Sequence, residues 1–319
     1  MNFTEFKGMA VHGHADIDFV DVHVDADTRL YIDPERIALS RHPFAAAANE
    51  AIDDFFTELC RAAAAQARIA VYQLLSCGRE PNETHLGMST SRSRGKGTTP
   101  EIVMPIVADM ISMGLFDAGL ITQLGDLQLW TPNFHHDRLS DLVTNIIRSV
   151  LVDYTYEQYD VWHLPLPEVQ YRNAPTWDIH THSWVNRDFP HFLAGRFHTL
   201  LVPKAFVGQY MLSSPGELLY TYALRYRQQE HLDERSDYCH HTVKNNGDEV
   251  WKPPTKRELY ELEVKGRPAK AYLRDMGYEY PHMVKELHAD HRSPVPRRAV
   301  TISDAELDAI LYQQEEIAI

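Results

Sequence analysis

Residues 16–33, DIDFVDVHVDADTRLYID, alternate apolar and polar positions through Ile17, Phe19, Val20, Val22 and Val24. That period is the mark of half-buried strands, and it predicts two short ones with a turn at 25–28. Asp33-Pro34 then opens a turn, with proline suited to a first helical position. From 44 to 76 the apolar positions change to helical spacing (Ala45, Ala48, Ile52, Phe55, Phe56, Leu59), predicting one long helix or two. Residues 100–122 repeat that spacing through Ile102, Val103, Ile106, Val107, Met110, Ile111 and Leu115. Alternation returns at 125–130, GDLQLW, and predicts a short strand with Asp126 and Gln128 on one side, broken by Pro132-Asn133. A helix over 137–152 follows, with Asp137 as its N-cap.

Past residue 160 the pattern is less regular. Trp162, Trp177 and Trp184 sit among prolines in segments that read as strand and loop, and 199–203, TLLVP, predicts a buried strand ending at Lys204. Helices are predicted over 215–230, 255–275, 281–291 and 303–316. Thr255 with Glu258, and Ser303 with Glu306, have the capping-box form. Residues 233–256, carrying Asn-Asn-Gly and Pro-Pro, read as a polar linker. Residues 78–100 have no apolar period and read as a long loop of the kind that is often functional. Strands mixed with helices, followed by helices alone, give an α+β fold. We expect a mixed β-sheet packed by helices over 1–235 and a helical region over 236–319.

Composition narrows the setting. Apolar residues at 44% and charged residues at 24% suit a large core that needs no staples. Three cysteines, far apart and odd in number, offer no disulfide framework and point to a reducing cytoplasm. No secretory signal pattern opens the sequence, and no run approaches the ~18 apolar residues of a membrane span, so no membrane partner is expected. A net charge of −14 argues against a surface coated with basic residues for long nucleic-acid contacts. It leaves room for a nuclease, whose metal site is itself acidic.

The helix at 137–152 carries the most unusual chemistry. Leu139, Leu142, Val143, Ile146, Ile147, Val150 and Leu151 form its apolar face. The opposite face holds Asp137, Asp141, Thr144, Asn145 and Arg148, mostly poor helix formers that a merely solvated face would avoid. Two carboxylates one turn apart can share a hard cation such as Mg²⁺, and Asp126 on the preceding segment is a third candidate ligand. The structural alternative is a hydrogen-bond network that holds the helix to a loop.

Other signals are weaker. SRSRGKG, 91–97, joins glycines to Arg92, Arg94 and Lys96 in a loop suited to phosphate contact, yet it is not a Walker A sequence. Arg138 and Arg148 can extend such contacts. Glu263 and Lys265 have E-x-K spacing but lie in a charged helical segment. Lys204, at the end of an apolar run, is the better-placed lysine. The 18 histidines include His12/His14, His135/His136, His180/His182 and His240/His241, without HExxH or a matching second pair. His180 and His182 support a small-molecule hydrolase as a third reading. There is no G-x-S-x-G and no GxGxxG.

LYIDPERI (30–37), PNETHLGMSTS (81–91) with GKG (95–97), DRLSDLVTNIIR (137–148), LLVPK (200–204) and TKRELYELEVKGRPAKAYL resemble, in order, a group of bacterial proteins of unknown function from phage-defence and mobile-element neighbourhoods. The resemblance implies a cytoplasmic bacterial protein and a defence component, and it draws attention to Asp137, Asp141, Asn145 and Lys204. The first functional expectation is therefore a metal-dependent nuclease, a phosphodiester hydrolase of antiviral defence. Asp126, Asp137 and Asp141 would hold Mg²⁺, Lys204 would stabilise developing charge with Asn145 beside it, and Arg92, Arg94, Lys96, Arg138 and Arg148 would bind nucleic acid. The alternative is a non-catalytic subunit of a defence complex that binds a partner protein or senses a nucleotide. Convergence of these groups in one cleft would favour the first reading. Groups already satisfied by their neighbours would favour the second.

Overall fold

Pro34 begins the first substantial helix, α1 (Pro34–Leu39), because the Asp33 carboxylate caps it by accepting from the Glu35 backbone N–H at 2.9 Å. Immediately before it, β1 (Tyr31–Ile32) pairs antiparallel with a later strand, Val207–Gly208. The Ala-rich segment forms α2 (Ala45–Ala64) and then α3 (Arg68–Ser76), two helices packed as a hairpin. Next come α4 (Pro100–Ser112), α5 (His136–Ile146) and α6 (Arg148–Val161). The computed structural model describes residues 1–78, 81–87, 99–166, 171–190, 192–194, 197–297 and 299–312.

The fold is α+β. Among the described residues the strands form four separate antiparallel pairs in place of one mixed sheet. The longest is the hairpin of β2 (Tyr171–Asp178) and β3 (Ser183–Pro190), in register from Tyr171↔Pro190 to Asp178↔Ser183. Trp177 and Trp184 face each other across it, and both rings stand edge-on to Phe55 of α2. That aromatic cluster fixes the hairpin to the helices.

Three predicted strands, within 16–24, 125–130 and 199–203, are absent. The 199–203 run is buried, with Leu200, Leu201 and Val202 each 1% exposed, but it joins no ladder. Its backbone groups are taken up singly: Leu200 N–H by Glu83 O, Leu201 N–H by Thr155 Oγ1, and Val202 O by Val20 N–H. Residues 16–28 likewise make isolated bridges, Phe19 with Pro203 and Thr28 with Leu86. The 125–130 segment is helical turn, a 3₁₀ turn at Leu124–Asp126 running into Leu127–Trp130. Its alternation misled because both sides are buried; Gln128 donates to Ser213 O at 2.8 Å instead of facing water. The reverse happened at 233–256, where the expected linker is an exposed hairpin, β7 (His240–Val243) with β8 (Glu249–Lys252), numbered after β4 (Leu193–Ala194), β5 (Phe197–His198) and β6 (Val207–Gly208). Gly247, at φ +87°, makes its turn.

α7 (Leu224–Glu234) precedes that hairpin, and the described part of 236–319 is otherwise helical: a turn of helix at Lys256–Leu259, α8 (Ala269–Glu279), α9 (Met283–His291) and α10 (Asp304–Leu311). Both expected capping boxes are formed, at Thr255/Glu258 and Ser303/Glu306. One hydrophobic core runs from Phe3 through Leu142 and Phe206 to Leu273, Leu287 and Leu311, so these helices pack on the rest without a break. Gly277 of α8 shows how closely: a Cβ there would lie 2.9 Å from Cζ3 of Trp130.

Candidate functional site

The site is built from the polar side of α5 and the start of α6. His135, not Asp137, is the N-cap of α5, and it makes no side-chain capping bond; Asp137 falls in the first turn. Leu139, Leu142, Val143 and Ile146 enter the core as their spacing requires. The polar face is also largely buried: Ser140 is 6% exposed, Thr144 and Asn145 1% each, and Arg148 5%. Burial of such groups is tolerable only with partners, and they have them. Ser140 Oγ accepts from Ile32 N–H at 2.9 Å, which ties α5 to β1. Thr144 Oγ1 donates to Ser140 O and Asn145 Nδ2 to Asp141 O, both at 2.7 Å. Arg148 donates to Asn145 Oδ1, to Pro175 O at 2.8 Å, and forms a buried ion pair with Glu83, which is 2% exposed. Short polar side chains were needed because the backbone and the Arg148–Glu83 pair are their partners.

The other predicted residues lie in different surroundings. Asp126 is fully buried, and its Oδ2 accepts from Thr122 N–H at 2.8 Å, Thr122 Oγ1 at 2.9 Å and Gln123 N–H at 3.1 Å. Its Oδ1 meets Nε2 of His288 at 2.9 Å. The three donors all fall on Oδ2, and Oδ1 is buried against His288 without a hydrogen bond, so a Mg²⁺ ion at Asp126 would compete with His288 for Oδ1 or with those donors for Oδ2. Lys204 Nζ donates to His14 O and to Asp304 Oδ1, both at 2.6 Å, so it holds α10 rather than facing α5. Asp137, Arg138 and Asp141 are half-buried on α5. Gly87 approaches Asp137, with 3.8 Å between the Oδ1 and the position a Cβ would take. Arg92, Arg94 and Lys96 lie outside the described residues. Among the described residues, no three His, Cys, Asp or Glu side chains are grouped to hold a metal ion.

What the sequence did not reveal is a set of histidine–carboxylate contacts between distant segments. His14 Nδ1 meets Asp308 at 2.7 Å, and His291 lies between Glu35 at 3.0 Å and Glu217 at 3.6 Å. Burial pulls the His291 imidazole down, but the two carboxylates outweigh it and raise its pKa to about 9. Burial also pushes Glu35 up, and the His291 contact overcomes this and holds it below the usual range. Glu263, the acid of the E-x-K, bonds Arg227, His231 and Tyr272, while Lys265 pairs with Glu261. That segment is structural.

A family model matches residues 9–213, which span α1 to α6, the Trp177–Trp184 hairpin and Lys204. The chain belongs to the DUF8370 family. The family is described as a domain of unknown function. The DUF8370 segment contains the whole polar network, and α7 to α10 lie beyond it. No curated protein and no solved structure matches the chain. Among the described residues, no helix is long and apolar enough to cross a membrane.

Proposed function

We propose that this DUF8370 protein is a partner-binding component of a bacterial defence system, acting in the cytoplasm, in which the polar face of α5 is framework rather than catalytic surface. The observation that carries this is the closed Glu83–Arg148–Asn145 arrangement. A nuclease keeps an open position for metal and phosphate between its acidic and basic groups. Here the buried Arg148 and Asn145 are committed to protein partners, and Asp126 and Lys204 to the C-terminal helices. The defence setting rests on the sequence resemblance.

The test is cleavage of mixed RNA and DNA with Mg²⁺ or Mn²⁺, comparing the native chain with Asp141→Ala. The reading expects no metal-dependent cleavage from either. Cleavage by the native chain that is lost in a variant with unchanged melting would overturn it and return Asp137 and Asp141 to the role of Mg²⁺ ligands.

A further inference from the structure

Two guanidiniums flank one phenol in the C-terminal region. Tyr222 lies on a π-helical turn, Leu218–Ala223, that leads into α7. Turns of this kind are rare and recur at functional sites. Cζ of Arg225 stands 5.6 Å from the centroid of the Tyr222 ring, and Cζ of Arg297 stands 5.8 Å from it. Each guanidinium is held by a carboxylate of α9: Arg225 by Glu286, and Arg297 by Asp290 at 3.4 Å. Those two acids are four residues apart, so they lie side by side on one face of the helix. Both arginines stay open to solvent, with 45% and 53% of their side chains exposed.

A third cation joins them. Gln228, three residues after Arg225 and on the same face of α7, donates to Pro254 O at 2.7 Å. That contact brings Arg225 towards Lys256, the first residue of the next helical turn. Lys256 is half-buried, and among the described residues its ammonium meets no acid. Burial lowers its pKa, and the charges of Arg225 and Arg297 lower it further. Three cations thus face the two carboxylates of α9. The other acid near them, Glu217, is engaged by His291. Acids outnumber bases 45 to 31 in this chain, so the group is a local reversal of its charge.

Tyr222 adds an unused donor. The residue is 2% exposed, and its hydroxyl has no hydrogen-bond partner. Burial pushes this phenol up to about 12, so near neutrality it keeps the proton it can donate. The same two arginines bear on the Tyr222 hydroxyl and on the Lys256 ammonium, so the four groups share one space. A buried donor without an acceptor and a lysine without a counter-charge are both costly, and one anion relieves both.

We infer that Tyr222, Arg225, Lys256 and Arg297 form a binding site for a phosphate dianion, free or as the terminal phosphoryl group of a small molecule. This goes beyond the partner-binding reading and does not rest on it, and all four residues lie outside the family segment of 9–213. A carboxylate offers two oxygens, enough for one guanidinium. Two guanidiniums, an ammonium and a phenol need the three oxygens of a phosphoryl group. Glu286 and Asp290 repel the neighbouring phosphates of a nucleic-acid strand, so the site suits a single terminal group.

Isothermal titration of the intact chain with inorganic phosphate tests this, at constant ionic strength so that screening does not change along the titration. We expect saturable binding. Lys256→Gln and Arg297→Gln should each weaken it by about tenfold or more, the scale of one hydrogen bond to a charged group. Lys244→Gln, which removes the same charge from the turn of the β7–β8 hairpin, should leave it unchanged. Tyr222→Phe should weaken binding without lowering the melting temperature, because the hydroxyl makes no bond within the chain. A second titration with AMP separates the sources: tighter binding than phosphate assigns the phosphoryl group to a nucleotide, and equal binding assigns free phosphate. Absence of saturable phosphate binding up to about 10 mM would overturn the inference. So would equal affinity in the native and Lys256→Gln chains.

Discussion

Removing the Glu83 carboxylate leaves Arg148 charged in a space with little access to water. In the ion pair the two side chains are 2% and 6% exposed. Among the described residues, Arg148 keeps the acceptors Asn145 Oδ1 and Pro175 O, neutral groups that solvate the guanidinium without neutralising it. Breaking a buried pair from one side costs about 3–5 kcal/mol, because the remaining charge is uncompensated. Replacing both partners with apolar residues of similar size costs much less and is often neutral. We therefore expect Glu83→Leu to lower unfolding stability by about 3 kcal/mol or more. Glu83→Leu with Arg148→Met should recover most of that loss, less the lost bonds to Asn145 and Pro175 at about 1 kcal/mol each. Urea unfolding followed by far-UV circular dichroism measures both through the shift in midpoint. A catalytic or ligand-holding pair behaves in the opposite way, since functional sites are often strained and their removal often stabilises. A single variant within about 1 kcal/mol of the native chain, or one more stable than it, would refute the framework argument.

Two further outcomes follow from contacts elsewhere in the fold. His291 has a folded pKa of about 9 against an ordinary 6.5, so its contribution is complete below 6.5 and is lost as pH rises towards 9. The melting temperature should fall across that window, and His291→Gln should flatten the fall; an unchanged slope in the variant would exclude the Glu35–His291–Glu217 cluster as its source. Gly277→Ala gains about 1 kcal/mol of helix propensity, but its Cβ meets Trp130 at 2.9 Å and Leu120 at 3.1 Å. Overpacking of about 1–3 kcal/mol should win, and a raised melting temperature would contradict the close approach of α8 to Trp130.

The amino-acid sequence by itself determined most of the longer helices, although the one predicted over 137–152 is two, α5 and α6, parted at Ile147. Ala45 to Leu59, Ile102 to Met110 and Leu139 to Ile146 carry their apolar stripes at the spacing seen in the fold, and both capping boxes formed where Ser or Thr precedes Glu by three. A helix satisfies its backbone within four residues, so its signal is local and complete. The odd polar face of α5 was also legible as a place that wanted short, fixed polar groups. What those groups bond to was not. Tertiary structure alone decided that Arg148 meets Glu83, that Asp126 meets His288, and that Lys204 reaches Asp304 a hundred residues away. It decided too that 199–203 joins no ladder while 240–252 forms one. Extended chain and buried polar groups take their partners from remote segments, and no local period records which segment that will be.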